Sequence, residues 1–180
     1  ELKTKKILQG IGLLIIDGKS FLNFSKDEIK KIYEIICNML GTLYIQNIDS
    51  EKIVEIKDEG KSMMSGGRYH QTKEGGSYHT DSPHWTNVPD LVGMVCINQA
   101  KKGGISKFVS AYTIHNQLLK EKNGVLKTLY EKFYFDKRGE FKNNESQTVF
   151  EPIFVFKDDK LSFRFIIDYI VAGHEIQKTP

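Results

Sequence analysis

The 180-residue chain has only two cysteines, four prolines and one tryptophan, and its 26 basic and 23 acidic side chains leave a formal net charge of just +3. Each shortage excludes something. Cys37 stands in a helical pattern and Cys96 in an apolar strand pattern, so neither a disulfide framework nor a paired-cysteine zinc site is on offer. Both read as core residues of a protein kept in a reducing compartment. No apolar run approaches the roughly 18 residues of a membrane span, and the mean hydropathy of -0.38 is that of a soluble domain. No charged segment followed by an apolar stretch and a small-residue cleavage site is present, which makes the cytoplasm the expected location. The charge is spread in mixed-sign runs such as KDEIKK and KEKNG, the mark of a solvated face, so neither nucleic acid nor a membrane is an expected partner. There is no internal repeat, low-complexity tract or linker; residues 1–180 read as a single domain, long enough for a full core.

What the chain does have is β-branched and aromatic segments punctuated by glycine. KKILQGIGLLIIDG, LYIQNI, KIVEIK, LVGMVCIN and ISKFVS read as strands, LVGMVCIN as one covered on both faces. FYFDKRGEF, TVFEPIFVF and KLSFRFIIDYI read the same way, with KDDK as the turn between the last two. Ser25 opens a capping box before IKKIYEIICNML, where Ile29, Ile32, Ile35 and Ile36 recur at helical spacing, predicting a helix over about 26–40 that Gly41 ends. SAYTIHNQLLKEKNG predicts a second helix, with Ser110 as N-cap and Asn123-Gly124 as stop, and GVLKTLYEK a short third. Strands outnumber helices, so the expected class is mainly β with flanking helices, a double-sheet barrel with the helices outside.

Between the early and the central strands lies DEGKSMMSGGRYHQTKEGGSYHTDSPHWTNVPD, a loop longer than connections usually are without a function. Within it, His79 and Asp81 are two apart and would face one side of an extended chain, where an imidazole and a carboxylate could grip one ion. Alone, a His-X-Asp pair is a weak signal. Completed by a second imidazole, it is the facial triad of non-haem iron(II) oxygenases.

The run GGSYHTDSPHW…VPDLVGMVCINQAKKGGISKFVSAYTIHNQLL resembles the taurine dioxygenase (TauD/TfdA-like) family of iron(II)- and 2-oxoglutarate-dependent oxygenases, which includes γ-butyrobetaine hydroxylase and clavaminate synthase relatives. The likeness is strongest over about residues 60–120. It implies a double-stranded β-helix, or jelly roll, incomplete at its C-terminal side here. His79 and Asp81 would be two iron ligands, and Ser106 of GGIS would contact the carboxylate of the cosubstrate 2-oxoglutarate. The family's distal histidine and the arginine that holds 2-oxoglutarate are expected beyond Pro180, since the chain starts at Glu1 without methionine and stops soon after a strand-like run. His174 is the one histidine late enough to substitute, and is expected to be a bystander.

The implied function is hydroxylation, or a related oxidation, of a small molecule such as an amino acid, betaine or other small acid, with molecular oxygen as co-reactant. A homo-oligomer is compatible with it. Arg68 and His70 are candidate contacts for an anionic substrate, because a guanidinium fork matches a carboxylate; Tyr78, His84 and Trp85 are candidates for the pocket wall. His115 is expected to pack or to face solvent, and Arg164 receives no role. The alternative is a jelly-roll protein that binds a small molecule or metal without turnover.

Overall fold

A computed structural model describes residues 7, 9–47, 50–63 and 67–180. Lys5, Lys6 and Leu8 of the first predicted strand, Ile48 of the second and residues 64–66 of the long loop lie outside the described residues. The chain divides into two compact units, one made of residues 1–54 and 91–105, the other of 55–90 and 106–180.

The first unit carries helix α1, Lys26–Leu40. Its start is local chemistry: the Ser25 side chain accepts from the Glu28 amide, and the Glu28 carboxylate accepts from the Ser25 amide at 2.8 Å. Two donors that the helix cannot satisfy are thereby paired. Ile29, Ile32 and Ile36 are half-buried, whereas Ile35 is exposed. The predicted strands of this unit do not form among the described residues: 13–18, 42–46 and 91–96 are irregular, and Val92, Met94 and Val95 are exposed. A strand is made by a neighbour's hydrogen bonds, and none of these segments pairs with one. Cys96 is accordingly exposed and Cys37 half-buried, against the expectation of two core cysteines.

The second unit holds the core. Helices α2 (Ala111–Glu121) and α3 (Asn123–Leu129) come first, so Asn123-Gly124 opens a helix instead of ending one. Strand β1 (Lys132–Asp136) pairs antiparallel with β2 (Thr148–Pro152), with Tyr134 opposite Phe150 and their rings stacked 4.3 Å apart. The predicted strand TVFEPIFVF is split at Ile153, and its second half, β3 (Phe154–Lys157), pairs with β4 (Lys160–Phe163). The KDDK turn forms as expected, with Asp158 at φ 51° and Asp159 at φ 57°, both left-handed as a two-residue hairpin turn requires. These are two separate hairpins; they do not close a jelly roll, and strands do not outnumber helices among the described residues.

The largest correction lies at the end of the chain. KLSFRFIIDYI is not one strand: β4 stops at Phe163, and Ile167–Gln177 is helix α4. Its apolar, β-branched start hides helical periodicity, because the helix buries Tyr169, Ile170 and Gly173 against the hairpins. Leu126, Phe135, Ile153, Phe154, Ile166, Tyr169 and Ile170 form the buried cluster, with Phe154 against Phe163 at 4.7 Å. His115 packs edge-on to Phe154 at 5.3 Å, as expected of a packing residue. No helix among the described residues is long and apolar enough to cross a membrane.

Helix α4 lies directly on β1, where a Cβ at Gly173 would collide with the Tyr134 carbonyl. The Tyr134 amide donates to His174 Nε2 at 3.2 Å, and His174 Nδ1 bonds the Pro180 carbonyl at 2.6 Å. Helix propensity favours alanine over glycine by about 1 kcal/mol, but the clash is with backbone and costs about 1–3 kcal/mol. Gly173→Ala is therefore expected to lower the unfolding midpoint in urea; an unchanged or raised midpoint would show that α4 does not seat on β1 in this way.

Candidate functional site

The residues singled out by the sequence gather in the second unit. The loop that carries them is held at three points. Lys57 and Glu59 amides donate to the carbonyls of His70 and Gln71 at 3.0 and 2.9 Å, anchoring the single helical turn Tyr69–Gln71. The Tyr69 hydroxyl donates to Asp168 Oδ2 on α4 at 2.5 Å; burial first, and then the Asp168 carboxylate, push the Tyr69 phenol above its ordinary pKa. Further along, the Thr80 amide donates to the Phe165 carbonyl at 2.8 Å.

The paired glycines before the motif have separate causes. Gly75 has φ +73°, a conformation that side chains disfavour. Gly76 lies beside two rings: a Cβ there would come within 3.2 Å of His79 Cε1 and 3.4 Å of Tyr69 Cε2. Glycine thus lets the Tyr69 and His79 rings meet, with centroids 4.9 Å apart.

His79 Nδ1 is 2.6 Å from the Ser77 carbonyl. A carbonyl only accepts, so Nδ1 carries the proton, and in the neutral ring Nε2 presents a lone pair. That nitrogen faces Asp81 Oδ1 at 3.7 Å. Two acceptors face each other across a gap that a cation or a proton must fill. Donation of the other ring N–H to a backbone carbonyl is also the usual support of a metal-binding imidazole. The donor set of one nitrogen and one carboxylate suits iron(II) or manganese(II), so these two residues fit such an ion. Among the described residues, no third histidine, cysteine, aspartate or glutamate joins them.

A second cluster lies on the same loop and has a centre that the sequence did not reveal. Glu140 accepts from Arg68 Nη2 at 2.6 Å on one oxygen, and from Trp85 Nε1 at 2.7 Å and His84 Nε2 at 2.9 Å on the other. Glu140 follows the turn in which the Arg138 amide donates to Asp136 Oδ1, with Arg138 at φ 50° and Gly139 at φ 80°. Burial alone would raise the Glu140 pKa; the hydrogen bonds from His84 and Trp85 and the Arg68 charge outweigh it and hold the carboxyl at about 2. His84 is only 8% exposed, lies 5.6 Å from the Tyr169 ring, and its Nδ1 has no hydrogen-bond partner.

Over residues 3–163 the chain matches the sequence profile of the family described as Taurine catabolism dioxygenase TauD, TfdA family. The chain belongs to the TauD/TfdA family. It is 30% identical over 166 residues to FR-33289 synthase of Streptomyces rubellomurinus (strain ATCC 31215), an alignment that covers 91% of this chain and 47% of that protein. The chain spans about half the length of that relative.

In this TauD/TfdA chain, the eight residues singled out by sequence fall into three groups. His79 and Asp81 are brought together, with side chains 28% and 53% exposed. Arg68, His84 and Trp85 are gathered by Glu140, so the Arg68 fork is already turned to a carboxylate of the chain itself. His70 is half-buried in the helical turn, Tyr78 is exposed, and Ser106 is exposed on the irregular segment before α2. Both nitrogens of His174 are engaged, Nε2 by the Tyr134 amide and Nδ1 with the Pro180 carbonyl. Arg164, left without a role, donates Nη1 to the Pro83 carbonyl at 2.9 Å.

Because the Glu140 carboxyl is held below its ordinary value of 4.5, its ionised form stabilises the fold fully above about pH 4.5, and this stabilisation is lost as the pH falls toward 2. Glu140→Gln is expected to cost on the order of 2 kcal/mol at neutral pH, since Arg68 loses its partner in a partly buried place. Chemical denaturation across that pH range should show a falling stability in the parent and a flatter curve in the variant; parallel curves would remove Glu140 from its central position.

Proposed function

We propose that this chain forms part of a dioxygenase that uses iron(II) and 2-oxoglutarate to hydroxylate or otherwise oxidise a small molecule, an amino acid, betaine or other small acid. The observation that carries the reading is the imidazole of His79, whose proton is committed to the Ser77 carbonyl while its free nitrogen faces the Asp81 carboxylate. Membership of the TauD/TfdA family supports it. The iron, when bound, supplies the redox chemistry with oxygen and 2-oxoglutarate that no side chain can.

The chain's own residues have simpler tasks. His79 and Asp81 offer the ion one neutral and one anionic donor; Ser106 would give its hydroxyl to the 2-oxoglutarate carboxylate; Tyr78 and His70 are the loop residues whose side chains remain candidates for the substrate. Arg68, His84 and Trp85, bound to Glu140, would shape the mouth instead of gripping a substrate charge. The reading includes a jelly roll in the whole protein, a single oxygenase domain, molecular oxygen and the small molecule as partners, and a cytoplasmic location.

Two protein donors hold a divalent ion weakly. Anaerobic calorimetry with manganese(II) should give weak, reversible binding that Asp81→Ala abolishes, and the whole protein of which this chain is proposed to form part should release succinate when given iron(II), ascorbate, 2-oxoglutarate and oxygen. Equal manganese(II) affinity in parent and variant would overturn the reading.

A further inference from the structure

The residue between the two proposed ligands is itself unusually well held. The Thr80 amide donates to the Phe165 carbonyl at 2.8 Å, and the Phe165 amide donates back to the Thr80 hydroxyl oxygen at 2.9 Å. Three residues on, the Pro83 carbonyl accepts from Arg164 Nη1 at 2.9 Å. The segment 80–83, which includes Asp81, is therefore clasped to residues 164–165 by three hydrogen bonds. Residue 164 in turn donates its amide to the Ile153 carbonyl at 2.9 Å, and Ile153 and Ile166 belong to the buried cluster. A continuous path of short hydrogen bonds thus runs from the candidate site to the core. Only one link on that path is a side-chain hydroxyl that accepts from the backbone, and it belongs to Thr80.

We propose that Thr80 is a positioning residue for the His79 and Asp81 pair: by accepting the Phe165 amide, its hydroxyl fixes the backbone from which both side chains leave. The inference rests on the metal-site reading above for its consequence, though not for its geometry. The Thr80 hydroxyl meets the Phe165 amide, while the side chains of the residues on either side of it, His79 and Asp81, come within 3.7 Å of each other. Without the hydroxyl the Phe165 amide loses its acceptor in a partly buried place, and two of the three bonds are left to hold the loop, neither of them to the Thr80 side chain.

Valine matches threonine in shape and lacks the acceptor; serine keeps the acceptor and lacks the methyl. The test compares Thr80→Val and Thr80→Ser by two measurements on the same proteins: manganese(II) affinity under anaerobic conditions, and the NMR order parameters of the His79 and Asp81 amides without metal. Thr80→Val is expected to bind manganese(II) about tenfold more weakly or worse, the scale of losses when the support of a metal ligand is removed, and to lower both order parameters from the rigid value of about 0.85. Thr80→Ser is expected to keep both near the parent. Should Thr80→Val not fold, Thr80→Ala makes the same comparison. Parent-like affinity and rigid amides in the valine variant, or a serine variant as impaired as the valine one, would overturn the proposal. If the parent itself binds no manganese(II), the metal-site reading falls, and the order parameters alone decide the role of Thr80.

Discussion

A histidine can offer a lone pair to a cation only if its proton is held elsewhere, and here the holder is the carbonyl of Ser77, 2.6 Å from Nδ1. The remaining features of the loop serve that bond. Gly75 takes the left-handed bend that starts the segment, Gly76 removes the bulk that would keep the His79 and Tyr69 rings apart, and Tyr69 is in turn fixed by Asp168 on α4. With Nδ1 committed, Nε2 and the Asp81 carboxylate face each other as two acceptors. Both side chains are partly exposed, and the clasp at Thr80 and Pro83 holds the backbone that carries them.

The second unit is arranged to make such a hold possible. Two hairpins and α4 enclose a small cluster led by Phe135 and Phe154, both fully buried, and α4 comes close enough to β1 for Gly173 to touch the Tyr134 backbone. From that cluster two arms reach the loop. One is the segment Arg164–Ile166, leading to Thr80; the other is the turn after β1, ending in Glu140. A salt bridge on an open surface would contribute little. Glu140 has three donors and limited solvent, which explains why its proton affinity falls although burial opposes the charge.

Local chemistry was legible in the sequence and long-range chemistry was not. The Ser25 and Glu28 box is complete within four residues, so α1 could be placed nearly to its ends, and KDDK needs only its own backbone to turn. By contrast LVGMVCIN has strand composition, yet a strand requires a neighbour, and residues 91–96 have none among the described residues. Ile167–Gln177 failed in the opposite sense: it buries Tyr169, Ile170 and Gly173 on one face but exposes Ile167, Val171 and Ile176 elsewhere, so it lacks the polar stripe by which helices are recognised. The His-X-Asp pair was visible because its spacing is two. Glu140 was invisible: in KRGEF it looks like any surface acid, and its partners His84 and Trp85 lie 56 and 55 residues away in sequence. The only available hint was the buried-type neighbourhood of Pro83, His84 and Trp85, which needed an acid from somewhere.

The central claim is that His79 holds its proton on Nδ1 and keeps Nε2 bare toward Asp81. Nitrogen-15 NMR of the histidine rings in the metal-free protein, assigned through His79→Gln and recorded at about pH 8, where an unperturbed imidazole is neutral, measures this directly. The account predicts a protonated Nδ1 and an unprotonated Nε2 at His79. A ring with its proton on Nε2 would place a hydrogen bond to Asp81 where the account has a gap for a cation, and would contradict it.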